Sequence, residues 1–176
     1  VSGGVFTLVV FFAPQHGILG KVWGQLKLSL RIMGEDLIAL LYRREEKAEF
    51  SPEEVAISSA ECLPLLHQGW FGRLVILSQR MQGHIRSSRL GLIQLTEEGR
   101  KLGRELVRSH RLWETYLDEH FALPPDHLHE PASRIEHYIG PELQERIEKE
   151  LDQPIRDPHG ATIPPATPPE NPPTSE

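Results

Sequence analysis

The order of apolar and polar positions divides the chain into short segments. Residues 35–46 (EDLIALLYRREE) set Leu37, Leu40 and Leu41 on one stripe, with Glu35 and Asp36 in the first turn, where the helix dipole favours acids. This predicts a helix that starts after the interruption at Gly34 and runs to about Ala48. Ser51-Pro52-Glu53-Glu54 reads as a helix start, with Ser51 as N-cap, Pro52 in the first turn and Glu54 closing a capping box. Residues 58–67 predict a further short helix, weakened in its middle by Pro64. Beyond Gly69, WFGRLVILSQRMQG has helical spacing through Leu74, Leu77 and Met81 and stops at Gly83. Residues 84–95 then read as a hairpin: an extended arm, a Ser-Ser-Arg turn and a second arm over 92–95. Helix, short helix, helix and hairpin in that order is the outline of a winged helix-turn-helix, with the β content expected only in the wing.

The second half reads as helical. Thr96 is placed to cap a long helix through TEEGRKLGRELVRSHRLWETYLDEHF, with Glu98 in a weak capping arrangement and Leu102, Leu106, Leu112, Trp113 and Leu117 on its inner side. Pro124 and Pro125 end it. A helix around 127–139 stops at Gly140-Pro141, and PELQERIEKELD predicts another, with Leu143, Ile147 and Leu151 in register as the expected dimer surface. Residues from 165 on are Pro-rich and polar and are expected to be disordered. The fold class is therefore mainly α. The expected units are 1–25, 26–100 (winged-helix-like), 101–164 (helical) and the tail 165–176.

Composition narrows the function classes. The 176 residues carry a formal net charge of -6, so the chain has no general attraction to nucleic acid and any DNA contact needs a local basic patch. The single cysteine, Cys62, permits neither an intrachain disulfide nor a thiolate zinc cluster and fits a reducing cytoplasm. No nucleophile–base pair or phosphate-binding Gly loop is recognisable, which argues against an enzyme.

Residues 5–13 (VFTLVVFFA) are strongly apolar but far short of the roughly 20 residues that span a bilayer. No basic region precedes them, which argues against a signal peptide. A truncated membrane helix followed by the positive-inside residues Lys21, Lys27 and Arg31 is one reading; a buried strand or helix is the other.

Candidate chemistry lies in the second half. His110 and Glu114 stand at i and i+4, on one helix face within reach of a common ion. His129 with Glu130, then Glu136 and His137, form a second group, with Ser133 one turn ahead. Imidazole and carboxylate are the donors that divalent transition metals take. A His–Glu pair at this spacing is more often a solvated ion pair, so spacing alone leaves both readings open.

Motifs join these segments. LTEEG at 95–99, HRLWE at 110–114, HEPASRIEH at 129–137 and DPHGATIP at 157–164 resemble, in order and separation, the diphtheria-toxin-repressor-type and manganese-responsive regulators, from the wing through the metal-binding dimerisation domain. EDLIALLYRREE resembles the first helix of that family. The resemblance implies a metal-sensing homodimer that binds Mn(II) or Fe(II), with Zn(II) or Co(II) also suited to the donors. It carries His110, Glu114 and His129 onto one family site, and Glu136 and His137, with Asp36, onto a second. Ser133 stands where the family has Cys or Glu, and Ala39 where the first helix usually supplies Met or Glu, so the second site has lost ligands.

The match to the family's helix-turn-helix over 50–81 is poor. A recognition helix over 70–82 offers Arg73, Ser78, Gln79, Arg80 and Gln82, with Arg86 and Arg89 on the wing, as candidate contacts to double-stranded DNA. SGGVFTLVVFFAPQHGILGKVW resembles the end of the last membrane helix in permease subunits of zinc- and manganese-type ABC transporters. Two readings follow: a metal-dependent DNA-binding transcriptional regulator of metal homeostasis, or the cytoplasmic metal-sensing tail of a permease that no longer binds DNA.

Overall fold

The computed structural model describes residues 18–47, 57–58, 69–88, 91–121, 124 and 127–166. The expectations for residues 5–13, for the Ser51 capping box, for residues 59–67 and for the tail beyond 166 lie outside these, as does Arg89.

Helix α1 spans Ile18–Lys47 without a break, which corrects the expected start after Gly34. Glycine costs a helix interior only about 1 kcal/mol, and Gly34 is buried because the Gln79 side chain occupies the place its Cβ would take. The buried face is Leu37, Ile38 and Leu41, while Leu40 is only half-buried.

Strand β1 is Ile57–Ser58, helix α2 is Gly69–Met81, and β2 (Ile85–Ser87) and β3 (Leu92–Leu95) form the expected wing. The sheet has three strands in the order β1-β3-β2, all antiparallel, with Ile57 opposite Ile93 and Ile85 opposite Leu95. Ser58 is thus in a strand rather than a helix, and the β content is not confined to the wing. Gly83 is left-handed (φ 80), which ends α2 and turns the chain into β2.

On α2 the buried residues are Phe71, Gly72, Val75 and Gln79. The stripe read from the sequence is therefore rotated: Leu77 is 51% and Met81 80% exposed. Both faces carry apolar residues, so periodicity alone does not choose between them.

Helix α3 is Glu97–Phe121. Thr96 Oγ1 accepts from the Gly99 amide at 3.1 Å and faces the Gly83 and His84 carbonyl oxygens at 2.6 and 3.0 Å, so one side chain caps α3 and ties it to the wing. Glu98 takes no part in the cap; it accepts from Lys101 at 3.3 Å. α3 packs along α1, where Gly103 admits Tyr42 and Arg100 and Arg111 pair with Glu45 and Glu46 at 2.8 and 2.7 Å.

Then follow α4 (His129–Ile135), a 3-10 turn (Glu136–Tyr138) and α5 (Pro141–Glu150). Two apolar clusters result. One joins α1, α2 and the sheet to Leu106 and Val107; the other gathers Leu112, Ile139, Ile147, Leu151 and Ile163. No described helix is long and apolar enough to cross a membrane.

Candidate metal centre

Helix α3 is the backbone of the site. His110 and Glu114 lie one turn apart on its inner face, and both are nearly sealed, with side chains 4% and 3% exposed. α4 crosses above and delivers His129. His110 Nε2 stands 3.0 Å from Glu114 Oε1 and 3.0 Å from His129 Nδ1, and His129 Nδ1 stands 3.2 Å from the same Glu114 oxygen. An ion bound at roughly 2.1 Å holds neighbouring donors about 3 to 3.5 Å apart, so this triangle has the size of a coordination face.

His159 faces the same carboxylate, with Nε2 3.9 Å from Glu114 Oε1. This histidine belongs to the DPHGATIP motif and was not among the candidate ligands. Its loop is rigidly held: Asp157 Oδ1 accepts from the His159 and Ala161 amides at 3.0 and 2.8 Å, and Gly160 takes a left-handed φ of 82. Arg111 and Arg108 tie the segment down on α3 through the Thr162 and Pro164 carbonyl oxygens, each at 2.6 Å. That Gly-terminated turn was the available signal.

A second cluster lies beside the first. His137, from the 3-10 turn, places Nε2 3.2 Å from Asp36 Oδ1 and 3.9 Å from Glu136 Oε1, and its Nδ1 2.8 Å from Glu35 Oε2. Asp36, Glu136 and His137 are thus brought together, as are His110, Glu114 and His129. Glu35 also reaches this cluster, although its place in the sequence marks only the acidic first turn of a helix. Ala39 is buried and adds no donor, and Ser133, half-buried, joins neither group.

The electrostatics follow from burial against pairing. Burial opposes a charge on His110, but hydrogen bonds to Glu114 and Glu136 and their charges outweigh it, and its pKa is raised. Burial likewise works against the Glu114 carboxylate, yet the His110 hydrogen bond and the two imidazoles lower its pKa. For His137, desolvation is overcome by hydrogen bonds to Asp36 and Glu35, and the pKa rises to about 9.

The candidate DNA contacts divide. Arg73 and Arg80 are exposed on α2; Arg86 is exposed on β2 and donates to Gln94 Oε1 at 3.2 Å. Gln79 is 3% exposed and lies 2.7 Å from His84 Nδ1, so it is a buried strut between α1, α2 and the wing and does not reach outward. The expected dimer stripe also changes: Ile147 and Leu151 are 3% and 6% exposed inside the protomer's own core. An open apolar groove of about 610 Å³ lies instead between α3 and α4, lined by Trp113, Leu117, Pro131, Ile135 and Tyr138.

Comparison with known proteins places this arrangement. Residues 96–165 match the family described as iron dependent repressor, metal binding and dimerisation domain. The chain is 38% identical over 72 residues to the iron-dependent repressor IdeR of Mycobacterium tuberculosis, covering 41% of this chain and 31% of that protein. It is 37% identical over 73 residues to a probable metal transport system membrane protein of Chlamydia trachomatis, covering 42% of this chain and 16% of that one. The chain therefore spans less than a third of either relative. A solved manganese-dependent transcriptional repressor, complexed with manganese, superposes with a TM-score of 0.65 at 29% identity, over 77% of this chain and 63% of its own. Over residues 96–165 the chain is thus similar to the metal binding and dimerisation domain of iron dependent repressors.

Proposed function

We propose that this chain is a divalent-metal-sensing regulator whose homodimer binds double-stranded DNA in the cytoplasm when metal is bound. The observation that carries the reading is the convergence of His110, Glu114 and His129 on one point, with Glu114 buried and every ion-pair partner of its carboxylate among the described residues an imidazole. A buried carboxylate that no guanidinium or ammonium among the described residues answers can take a divalent ion once the imidazoles around it give up their protons. His159 closes the open side as a further donor. The set is nitrogen and oxygen without thiolate, which suits Mn(II), Fe(II), Co(II) or Zn(II).

The bound ion would supply a fixed positive charge that joins α3, α4 and the DPHGATIP loop. Helices α3 and α4 also line the groove of Trp113, Leu117, Ile135 and Tyr138, the surface on which a second copy would sit. Loading the site then orders the dimer face, and the dimer presents two copies of α2 and the wing. Arg73, Arg80 and Arg86 are the cations available for phosphates and base edges; Arg89 remains a candidate from the sequence.

Gel-shift titration tests this. A palindromic duplex from a metal-uptake promoter should be retarded in the presence of Mn(II) or Fe(II), with a steep salt dependence, and Arg73→Ala or Arg80→Ala should weaken it. No metal-dependent shift at low salt would reject the regulator reading.

One observation favours a second reading. The chain is similar over 73 residues to the Chlamydia trachomatis membrane protein, and the sequence ahead of α1 is apolar. Under that reading the module is the cytoplasmic sensor of a metal permease, and metal binding and dimerisation persist without DNA binding.

A further inference from the structure

The two clusters look alike as sets of ligand atoms, but their charge is balanced in different ways. At the first, the Glu114 carboxylate is met by the imidazoles of His110, His129 and His159 and by no guanidinium or ammonium among the described residues. At the second, Glu35, Asp36 and Glu136 are three carboxylates, and two arginines of α1 already answer them. Arg31 Nε lies 3.7 Å from Glu35 Oε1, and Arg43 Nη2 lies 3.8 Å from Glu136 Oε2.

Arg43 follows Asp36 by seven residues, two helical turns along the same face of α1, with Ala39 between them. That face leads to the 3-10 turn carrying Glu136 and His137. Arg43 Nη2 is buried and makes no hydrogen bond, so its tie to Glu136 is one of charge alone. A guanidinium is always charged and cannot be neutralised to admit a metal ion. Glu136 is 3% exposed, so little water screens the repulsion between Arg43 and any ion placed on that carboxylate.

We infer that Arg43 takes the place of an ion at the second cluster, so that each protomer holds one divalent metal, at His110, Glu114 and His129. Asp36, Glu136 and His137 then serve as a permanently charged brace between α1 and the 3-10 turn. The inference rests on the metal-binding reading above for the first cluster; for the second it stands on Arg43 alone. The loss of donors at Ser133 and Ala39 agrees with it, since an arginine needs no ligand sphere.

Calorimetric titration of the full chain with Co(II), followed in parallel by the visible absorption of bound cobalt, decides the matter. The wild type should take one equivalent, and Arg43→Met should take two, the second being lost on adding Asp36→Ala with His137→Ala. Arg43→Lys, which keeps the charge, should behave as the wild type and shows whether the position tolerates change. A wild type that takes two equivalents, one of them removed by Asp36→Ala with His137→Ala, overturns the inference and leaves the metal-sensor reading intact. An Arg43→Met protein, folded by circular dichroism, that takes no more cobalt than the wild type overturns it as well. If the wild type takes no cobalt, the metal-sensor reading fails. The Arg43 inference is then decided by whether Arg43→Met gains an ion in the His110→Ala, His129→Ala background.

Discussion

Glu136 Oε2 lies 2.5 Å from His110 Nδ1, so the 3-10 turn grips the imidazole of α3 from behind and turns its Nε2 toward Glu114 and His129. A carboxylate on the remote nitrogen fixes both the tautomer and the ring orientation of a ligating histidine. The same carboxylate oxygen faces Arg43, so its charge is retained in a buried place.

Glu136→Ala should therefore weaken divalent-metal binding by roughly 10- to 100-fold, although Glu136 does not belong to the His110 triangle. His110→Ala with His129→Ala should abolish tight binding, and His137→Ala alone should change it only a few-fold. Isothermal titration with Mn(II) or Co(II) ranks the three; an effect of His137→Ala larger than that of Glu136→Ala would reject the positioning role.

The raised imidazole pKa values set the pH dependence. His110 must lose its proton to ligate, so metal affinity should rise with pH and binding should release protons, measurable as a buffer-dependent heat. In the metal-free protein the sign is opposite for stability. His137 has a folded pKa of about 9 against about 6.5 when unfolded, so its contribution is complete below about pH 6.5 and is lost as pH rises through 9. Thermal melts with chelator present should show the midpoint falling over that window, and Asp36→Asn should flatten the slope. A pH-independent midpoint in the wild type would contradict the pairing of His137 with Asp36 and Glu35.

The groove between α3 and α4 gives a test of assembly. Ile135→Asp puts a charge among Trp113, Leu117 and Tyr138 without touching a candidate ligand. Sedimentation of the metal-loaded protein should show a dimer for the wild type and a monomer for Ile135→Asp, with unchanged cobalt absorption. Leu143→Asp, on the exposed flank of α5, should leave the dimer intact; the reverse pattern would move the interface to α5.

Two glycines mark close approaches, of α3 to the wing at Gly99 and of α1 to α2 at Gly34. A Cβ at Gly99 would run into the His84 carbonyl oxygen, which cannot yield, whereas one at Gly34 would meet only the end of the Gln79 side chain. Gly99→Ala should cost about 1 to 3 kcal/mol in denaturant unfolding, and Gly34→Ala less. Gln79→Ala should destabilise the protein yet leave the sequence preference of DNA binding unchanged, because Gln79 is buried against His84.

What was legible in the residues alone was local. The cap at Thr96, the long amphipathic α3, the wing between Gly83 and Leu95, and the His110–Glu114 pair all depend on neighbours within a turn or a hairpin, and periodicity reports such neighbours faithfully. The motifs from EDLIALLYRREE to DPHGATIP also pointed to the residues that the fold gathers into the two clusters. Tertiary packing decided the rest. α1 continues through Gly34 because Gln79 of another helix fills that space, and α2 buries Phe71 and Val75 because α1 and the sheet meet that side. Ile147 and Leu151 turn inward because Leu112 and Ile163 cover them, which leaves the apolar groove to Trp113 and Ile135. The positions of Glu35, Arg43 and His159 belong to the same class: each acts on a residue more than forty positions away, and no spacing along the chain encodes a contact made across three packed elements.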